Sequence, residues 1–488
     1  MATSNRTLRT RTTAVARDGG RGPGRKETKQ RPKPFLLPQF CKGCGRCIEA
    51  CPKDCIDFAE EIHPESGLLP VQIDLEVCNG CGLCLLACPE PFALRPEDVP
   101  FEWESSDQEE ALEATVADVP EPETVPDRRI PLPAVEPLLM KGTHASAVGA
   151  LLAGCRHFFG YPITPSSEGA ELMARVLPHL EGVFMQAVSE VATVNHIYGC
   201  GGAGLRCMTF TSSPGFSLML EGISYMVGAE VPGVFVNVMR GGPGLGNIGP
   251  EQADIKLVCR GLGHGNTQAI ALAPADPQEM LDLTMLAFEL AFKYRNPVIV
   301  AGDGYLGQVT GRVRLPEYMI EPGIPEWAVH GDAAHRRNLI SSIYLEESDL
   351  EKFNAHLIEK YSRITQNEQR ADLFLCDDAE IVFVASNTPS RIVKGAIHTL
   401  RDQGFRAGLF RPISLWPFPI EQFRPLLDQA RRLIVVEASN GQLEDELRLA
   451  INRAGITVHP PIEHVRRYGG MLPQTDEIIN AVREGEET

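Results

Sequence analysis

Two copies of one cysteine motif constrain the fold of this chain more than any other feature. The motif is C-x2-C-x2-C-x3-C-P, and its copies consist of Cys41, Cys44, Cys47 and Cys51, and of Cys78, Cys81, Cys84 and Cys88. Three closely spaced thiolates on a tight loop can bind three irons of a cubane, while the fourth cysteine reaches the other cluster. The pattern predicts two 4Fe-4S clusters. The expected ligand sets are Cys41, Cys44, Cys47 and Cys88 for the first cluster, and Cys78, Cys81, Cys84 and Cys51 for the second.

Glycines between these cysteines support the same interpretation, because the backbone must turn closely around an inorganic core. They are Gly43, Gly45, Gly80 and Gly82. Zinc is the alternative metal, but it prefers one tetrahedral set of four thiolates to two interleaved sets. Cys55 is surplus to the motif, and we expect it to be a core thiol. Residues 35–94 resemble a bacterial two-cluster ferredoxin, a ferredoxin-like α+β domain, and this resemblance implies electron transfer.

Charge is distributed unevenly over the 488 residues, whose net charge is -18. Residues 1–34 contain ten Lys or Arg and two Asp or Glu, whereas residues 97–127 contain twelve Asp or Glu. Such segments favour disorder, so we expect a disordered basic tail at 1–34 and an acidic linker at 95–137. The tail is either a solvated segment or a transit peptide, and it lacks the apolar region of a secretory signal.

Composition also excludes several classes of function. The chain outside these two segments has no basic excess, so we expect no nucleic-acid partner. No stretch approaches the roughly 18 apolar residues of a membrane span. Most cysteines show metal-ligand spacing rather than a disulfide pattern, which predicts a location in the reducing cytoplasm.

From residue 138 onward, apolar runs alternate with segments of helical length, which predicts a mostly parallel α/β sheet. The runs expected to form buried strands are Val183–Ala187, Arg206–Phe210, Val234–Met239 and Val298–Ala301. A connecting segment at 312–377 is expected to contain a helix from Glu346 to Gln366. A second, smaller α/β domain at 378–488 is expected to contain the strands Ile381–Ala385, Ala407–Phe410 and Leu433–Glu437.

Four polar segments follow the ends of predicted strands in the domain at 138–311. They are Gly160–Glu168, Gln186–Asn195, Thr211–Ser217 and Asn237–Gly244. Open parallel sheets collect ligand-binding groups at the carboxyl ends of their strands, so these segments predict one shared site. The same segments resemble the alpha subunit of 2-oxoacid:ferredoxin oxidoreductases, which are thiamine-diphosphate enzymes. The resemblance is strong over residues 141–310 and weaker beyond.

This resemblance implies a fold and an activity. Residues 138–311 would form a thiamine-enzyme pyrimidine-binding domain, and residues 378–488 a transketolase C-terminal-like domain. The implied reaction is a coenzyme A-dependent oxidative decarboxylation of a 2-oxoacid to acyl-CoA and CO₂, with electrons passed through the clusters to ferredoxin or another acceptor. The motifs look most like the branched-chain (3-methyl-2-oxobutanoate) type, with 2-oxoglutarate as the alternative substrate.

Three residues are the candidates for catalysis. The resemblance assigns Glu190 to the N1′ atom of the thiamine aminopyrimidine, and a helix-start acid is the alternative. Thr164, in a loop between two prolines, can donate to a substrate carbonyl or carboxylate, or can cap a helix. Arg240 can bind the oxoacid carboxylate in bidentate fashion, or can be a surface residue. Further expected cofactor contacts are Tyr161, Pro162, Ile163, Ser212 and Ser213.

Three other features are expected to lie outside this chemistry. Gly302-Asp303-Gly304 resembles the start of a Mg²⁺–diphosphate motif, but no Asn-Asn pair follows at the expected separation. Gly241–Gly249 lacks the ending of a P-loop, and we interpret it as a mobile loop over the substrate. His264, in a glycine-flanked turn, is expected to be structural, with a proton shuttle as the alternative.

The missing Mg²⁺ motif implies a partner. The resemblance predicts a beta subunit with the diphosphate and Mg²⁺ site and a third 4Fe-4S cluster, together with a gamma-type subunit. A non-catalytic electron-transfer or scaffold subunit is the alternative function. The joint presence of Thr164, Glu190 and Arg240 favours the enzyme.

Overall fold

The computed structural model describes residues 31–64, 66–90, 93–96 and 121–484. Contacts divide the chain into two compact units, Met1–Ala117 and Asp118–Thr488. The predicted disorder of the basic tail and of most of the acidic linker concerns residues outside the described ranges. None of the helices in those ranges combines the length and the apolar character that a membrane span requires.

The N-terminal unit is built from very short elements. They are β1 (Pro34–Leu36), α1 (Arg46–Glu49), β2 (Ile56–Phe58), β3 (Val71–Ile73), α2 (Leu83–Ala87) and β4 (Leu94–Pro96). β1 pairs with β4 and β2 with β3, both antiparallel. Both helices begin after a glycine with left-handed backbone, Gly45 at φ 73° and Gly82 at φ 77°, a conformation that other residues rarely adopt. Each cysteine motif therefore turns directly into a short helix.

The C-terminal unit contains two α/β domains. Its first part contains β5 (Arg128–Pro131), β6 (Leu138–Lys141), α3 (Gly142–Leu152), β7 (His157–Gly160), α4 (Ser167–Val176), β8 (Val183–Gln186), α5 (Glu190–Gly202), β9 (Cys207–Thr211), α6 (Ser213–Leu218), α7 (Leu220–Gly228), β10 (Gly233–Met239), α8 (Ile255–Arg260), β11 (Ile270–Leu272), α9 (Pro277–Tyr294), β12 (Pro297–Asp303) and α10 (Gly304–Gln308). The chain continues through β13 (Thr310–Val313), β14 (Tyr318–Glu321), α11 (Glu347–Asn367), β15 (Ala371–Phe374), β16 (Ile381–Val384), α12 (Asn387–Asp402), β17 (Ala407–Pro412), β18 (Ser414–Trp416), α13 (Ile420–Phe423), β19 (Arg432–Glu437), α14 (Gln442–Arg453), β20 (Ile462–Arg466) and α15 (Thr475–Glu484).

The first domain is organised by a seven-stranded sheet in the order β18-β11-β12-β10-β9-β7-β8. Its strands are parallel, except that β18 runs antiparallel to β11. Alternate residues of the central strand β10 pack on opposite faces, with Val234 in one hydrophobic cluster and Phe235 in the other. A strand covered on both faces needs apolar residues throughout, which is why its sequence is a continuous apolar run. The predicted parallel sheet is confirmed.

One strand differs from the prediction. Val183–Ala187 was expected to be buried, but β8 is the edge strand of the sheet, and Val183 and Met185 are each 41% exposed. That expectation is wrong because the sequence pattern of an apolar strand does not show whether the strand is covered by its own chain or by another surface. The edge strand therefore presents apolar side chains to solvent.

The second domain contains a five-stranded sheet in the order β15-β17-β16-β19-β20. Its three predicted strands are present, and their ends lie within two residues of the expected bounds. The predicted helix of the connecting segment, α11, is present with the same accuracy. β15, which the sequence pattern did not predict, pairs antiparallel with β17. β5, at the end of the expected acidic linker, pairs with β14.

Buried polar contacts join the two domains. The Asp303 carboxylate at the end of β12 accepts hydrogen bonds from the backbone N–H of Thr388 (2.9 Å) and from its hydroxyl (2.8 Å). It also accepts from Leu306 N at 2.9 Å, which caps α10. Glu279 forms a bidentate ion pair with Arg411 of the second domain at 2.7 and 2.9 Å. These contacts fix the second domain against the sheet.

We predict that Asp303→Ala destabilises the C-terminal unit by about 2 to 4 kcal/mol, because it leaves three buried donors without an acceptor. Asp303→Asn keeps one acceptor oxygen and should lose less. Thermal or urea unfolding of the purified complex measures both variants. Equal stability of Asp303→Ala and the wild type would contradict the structural role of this carboxylate.

Candidate active site and cluster sites

The cysteines of the N-terminal unit form two groups. Cys41, Cys44, Cys47 and Cys88 line one cavity, so the last cysteine of the second motif lies beside the first three of the first motif. The same cavity is also lined by apolar Val71 and Leu94 and by charged Lys42 and Glu90. Four thiols around one cavity are the ligand type and number that a cubane cluster needs.

The second group lies around Cys78. Burial, followed by the neighbouring Cys78 and Cys81, raises the pKa of the Cys84 thiol. The Cys51 Sγ is 3.4 Å from the Cys55 Sγ, and burial, followed by Cys51 and Cys78, raises the pKa of Cys55 to about 12. Cys55 is thus a buried neighbour of both Cys51 and Cys78, and the assignment of Cys51 to the second cluster stays a prediction. In the part of the chain that the structure describes, no three Cys, His, Asp or Glu side chains converge on a single metal ion.

The four polar segments of the first domain meet at one edge of the large sheet. Gly160 ends β7, Gln186 ends β8, Thr211 ends β9 and Met239 ends β10. These strands are neighbours and parallel, so their carboxyl ends lie side by side. The shared location expected from the sequence is therefore present.

Glu190 is a buried acid at this edge. It is the first residue of α5, and the residue is only 6% exposed. A Cβ added at Gly215 would lie 2.6 Å from the Glu190 Oε1 and 2.5 Å from the Thr211 Oγ1, so glycine is needed for both to fit. The Thr211 hydroxyl is buried and has no hydrogen-bond partner among the described residues. A buried carboxylate beside an unpaired hydroxyl suits a polar ligand.

Arg240 follows β10 and binds two backbone carbonyls. Its Nη1 donates to Thr164 O at 2.6 Å and its Nη2 to Leu245 O at 3.1 Å. The residue is 7% exposed, and its buried Nε has no partner within the described ranges. Thr164 itself is exposed. The structure brings Arg240 and the Thr164 loop together, and the guanidinium is therefore not a free surface group.

The predicted cofactor contacts occupy different environments. The Ser212 hydroxyl donates to Val238 O at 2.7 Å, and Ser213 Oγ accepts from Arg240 N at 3.0 Å. Both serines thus connect the end of β9 to the end of β10. Tyr161 and Pro162 are exposed, while Ile163 is partly buried. Their contacts to a cofactor remain a prediction.

A cleft of about 550 Å³ opens beside Arg240. Ser213 and Asp254 line it from the first domain, and Tyr468 and Gly469 line it from the second. Burial raises the pKa of the Asp254 carboxyl, although Asn237 donates to it at 2.9 Å. Asp254 and the second-domain residues were not identified from the sequence, because no motif indicates that a distant loop returns to this edge.

The features expected to lie outside the chemistry have structural partners. Both oxygens of Asp303 are bonded to backbone or hydroxyl donors, which agrees with its expected place at a strand end. The His264 carbonyl accepts from Thr267 Oγ1 within the turn at 2.6 Å and from Ser224 Oγ of α7 at 3.2 Å. The Gly241–Gly249 loop is closed at its base by Gly241 N donating to Gly249 O at 2.9 Å, and its mobility stays a prediction.

Three protein-family models match this chain. The thiamine-diphosphate-binding domain of pyruvate flavodoxin/ferredoxin oxidoreductase matches residues 148–373. Core domain II of pyruvate:ferredoxin oxidoreductase matches residues 379–478, and the 4Fe-4S dicluster domain matches residues 40–91. The chain is therefore an α/β protein with a thiamine-diphosphate-binding domain and an N-terminal 4Fe-4S dicluster domain.

Known relatives define the family more closely. The ketoisovalerate oxidoreductase subunit VorB of Methanothermobacter thermautotrophicus is 47% identical over 348 residues, which cover 71% of this chain and 97% of the relative. The 2-oxoglutarate synthase subunit KorA of Methanocaldococcus jannaschii is 36% identical over 368 residues, which cover 70% of this chain and 98% of the relative. This chain belongs to the 2-oxoacid:ferredoxin oxidoreductases, as a subunit of the alpha type.

A solved structure agrees with this assignment. The 2-oxoglutarate:ferredoxin oxidoreductase from Magnetococcus marinus, with 2-oxoglutarate, coenzyme A and succinyl-CoA bound, shares 26% sequence identity at a TM-score of 0.64. The match covers 72% of this chain and 65% of that chain. This chain thus spans slightly less than two thirds of that subunit's length.

The two neighbouring thiols Cys51 and Cys55 allow a matched test of the cluster ligands. Cys51→Ser should lose about half of the bound iron, because one of the two clusters would lose a ligand. Cys55→Ser should keep nearly all of it. Iron and sulfide analysis with EPR of the reduced protein measures both. Equal iron loss in the two variants would contradict the ligand assignment.

Proposed function

We propose that this chain supplies the pyrimidine-binding half of a thiamine-diphosphate site and passes electrons to its own dicluster domain. The observation that carries this proposal is the buried Glu190 carboxylate at the sheet edge, next to Gly215 and the unpaired Thr211 hydroxyl. The overall reaction would be R–CO–COO⁻ + CoA–SH → R–CO–S–CoA + CO₂ + H⁺ + 2 e⁻. Coenzyme A is the co-substrate named for the Magnetococcus enzyme.

Glu190 would hold the aminopyrimidine of the cofactor through its N1′ atom. Bound thiamine diphosphate would supply the carbon nucleophile that adds to the 2-oxo carbon. A carboxylate that is withdrawn from solvent bonds more strongly to a ring nitrogen, since water does not compete for it. Gly215 leaves the space in which this carboxylate lies, and helix α5 fixes its direction.

Arg240 and Thr164 would bind the oxoacid. The guanidinium keeps an unpaired Nε–H and faces the cleft that Ser213 also lines, so it can donate to a carboxylate while it holds the Thr164 loop. The exposed Thr164 side chain is free to approach the same substrate. Because the highest identity quoted above is to a ketoisovalerate subunit, a branched-chain oxoacid is the proposed substrate and 2-oxoglutarate the second candidate.

The two 4Fe-4S clusters would receive the electrons one at a time. Cys41, Cys44, Cys47 and Cys88 would bind the first cluster, and Cys78, Cys81, Cys84 and Cys51 the second. The covalent connection of the dicluster domain to the alpha-type subunit supports this role, because a tethered acceptor has a high effective concentration at its donor. Ferredoxin or another carrier would accept the electrons from the clusters.

A partner subunit would complete the cofactor site. Val183 and Met185 on β8, together with Val188 at 87% exposure and Val191, present apolar side chains around the buried Glu190. Such a patch marks an interaction surface. We propose that a beta subunit carrying the diphosphate and Mg²⁺ site and a third cluster covers it, and that a gamma-type subunit completes the assembly.

We predict that Glu190→Gln lowers turnover by at least about a hundredfold, because general acid–base assistance is worth about 10²- to 10⁴-fold. Cluster content should remain normal. Glu171→Gln, at an exposed acid of α4, is the matched control and should retain full activity. The measurement is coenzyme A-dependent viologen reduction without oxygen. Full turnover in Glu190→Gln would instead favour the alternative function, a non-catalytic scaffold subunit.

Substrate choice is tested with the same assay. The complex should have a higher kcat/KM for 3-methyl-2-oxobutanoate than for 2-oxoglutarate, pyruvate or phenylglyoxylate. Preference for 2-oxoglutarate would keep the enzyme class but change the substrate. Absence of turnover with all four acids, from a complex with intact clusters and bound cofactor, would refute the proposed activity.

We also predict that Val188→Asp prevents co-purification of the beta subunit, because a charge would be buried in an apolar interface. Val458→Asp is the matched control, since Val458 is 85% exposed but lies in the second domain. Pull-down of tagged chain under anaerobic conditions measures both. Normal recovery of the partner with Val188→Asp would place the interface elsewhere.

A further inference from the structure

The loop that follows Arg240 is held by a carboxylate that belongs to no motif. Glu251 is only 4% exposed. Its Oε2 accepts from Gly242 N at 2.8 Å, and its Oε1 accepts from Gly469 N at 3.2 Å. Gly242 lies two residues after Arg240, whereas Gly469 lies in the loop after β20 of the second domain. One buried side chain therefore connects loops from both domains.

A second side chain makes the same connection. Asn247, within the Gly241–Gly249 loop, donates from Nδ2 to Gly469 O at 3.0 Å. A Cβ added at Gly470 would lie 2.6 Å from the Asn247 Oδ1, and one added at Gly249 would lie 2.9 Å from the Gly470 Cα. The two loops thus pack with their backbones in close contact, which glycine alone permits at these positions.

This connection bears directly on Arg240. The guanidinium donates to Leu245 O, which is part of the loop that Glu251 and Asn247 hold. Tyr468 and Gly469 line the cleft beside Arg240, and Glu251 and Asn247 both bond to the backbone of Gly469. A displacement of either loop would therefore change both the direction of the guanidinium and the width of the cleft.

We propose that Glu251 is a positioning residue for 2-oxoacid binding: it holds the Arg240 loop to the Tyr468–Gly470 loop of the second domain. Glu251 also lines this cleft, but both of its oxygens accept from loop N–H groups, so it acts through the position of Arg240. The second domain then contributes to substrate affinity, in addition to its packing against the sheet. This inference rests on the proposed function, because it assumes that Arg240 binds the substrate carboxylate.

The test compares Glu251→Ala, Glu251→Gln and Asn247→Ala in the anaerobically purified complex. Because a mutation that weakens ground-state and transition-state binding equally raises KM and leaves kcat unchanged, we expect Glu251→Ala to raise the KM for the oxoacid about tenfold. Its kcat and its KM for coenzyme A should change less than about twofold. Glu251→Gln keeps one acceptor and should lie between Glu251→Ala and the wild type. Asn247→Ala should raise the same KM to a smaller extent.

Glu279→Ala is the matched control, because Glu279 also joins the two domains, through Arg411, but touches neither loop. It should lower the unfolding temperature and leave both KM values unchanged. A wild-type oxoacid KM in Glu251→Ala and Asn247→Ala, in an active complex, would overturn the inference alone. Equal rises of both KM values in Glu251→Ala and Glu279→Ala would show a general structural effect and also overturn it. Absence of wild-type turnover would instead refute the proposed function.

Discussion

Parallel pairing of β7, β9, β10 and β12 is the constraint on which the remainder of the C-terminal unit depends. Parallel strands present all their carboxyl ends at one edge, so every loop that follows them begins in the same neighbourhood. The strands are held by apolar residues on both faces, with Val234 and Phe235 of β10 in separate hydrophobic clusters. Polar groups at the edge can then be arranged with little cost to the core.

Order at that edge comes in large part from hydrogen bonds to backbone groups. Arg240 binds two carbonyls, Glu251 binds two N–H groups, and Ser212 connects neighbouring strand ends. Such bonds fix loops that have few side chains to pack, because each buried backbone group must find a partner. The many glycines of these loops allow their backbones to approach each other closely. The hydrogen bonds then determine the positions of the loops.

The N-terminal unit follows a different principle. Its strands and helices are too short to bury a large core, and its cysteines provide much of the apolar cluster, including Cys41, Cys47 and Cys84. Cluster ligation would therefore contribute to folding as well as to electron transfer, as metal binding does in other small domains. This one chain matches family models for both a 4Fe-4S dicluster domain and a thiamine-diphosphate-binding domain.

Several features of this protein follow from short stretches of its amino-acid sequence. The cysteine spacing predicted a dicluster domain, the apolar runs predicted the parallel strands, and Glu190, Thr164 and Arg240 followed from local motifs near strand ends. These features are local, because each depends on residues within one turn, one strand or one loop. Their roles in binding and catalysis remain proposals that the geometry supports.

The three-dimensional fold establishes which surfaces are covered and which distant loops meet. It placed β8 at an exposed edge, added β15 to the second sheet, and brought Glu251 and Gly469 together across 218 positions of sequence. A run of apolar residues does not indicate which surface will cover it. A single acidic residue after a loop does not indicate which backbone N–H groups it will bind. The covering surface and the bound backbone groups are decided by long-range packing, because the fold and not the neighbouring sequence determines which residues come into contact.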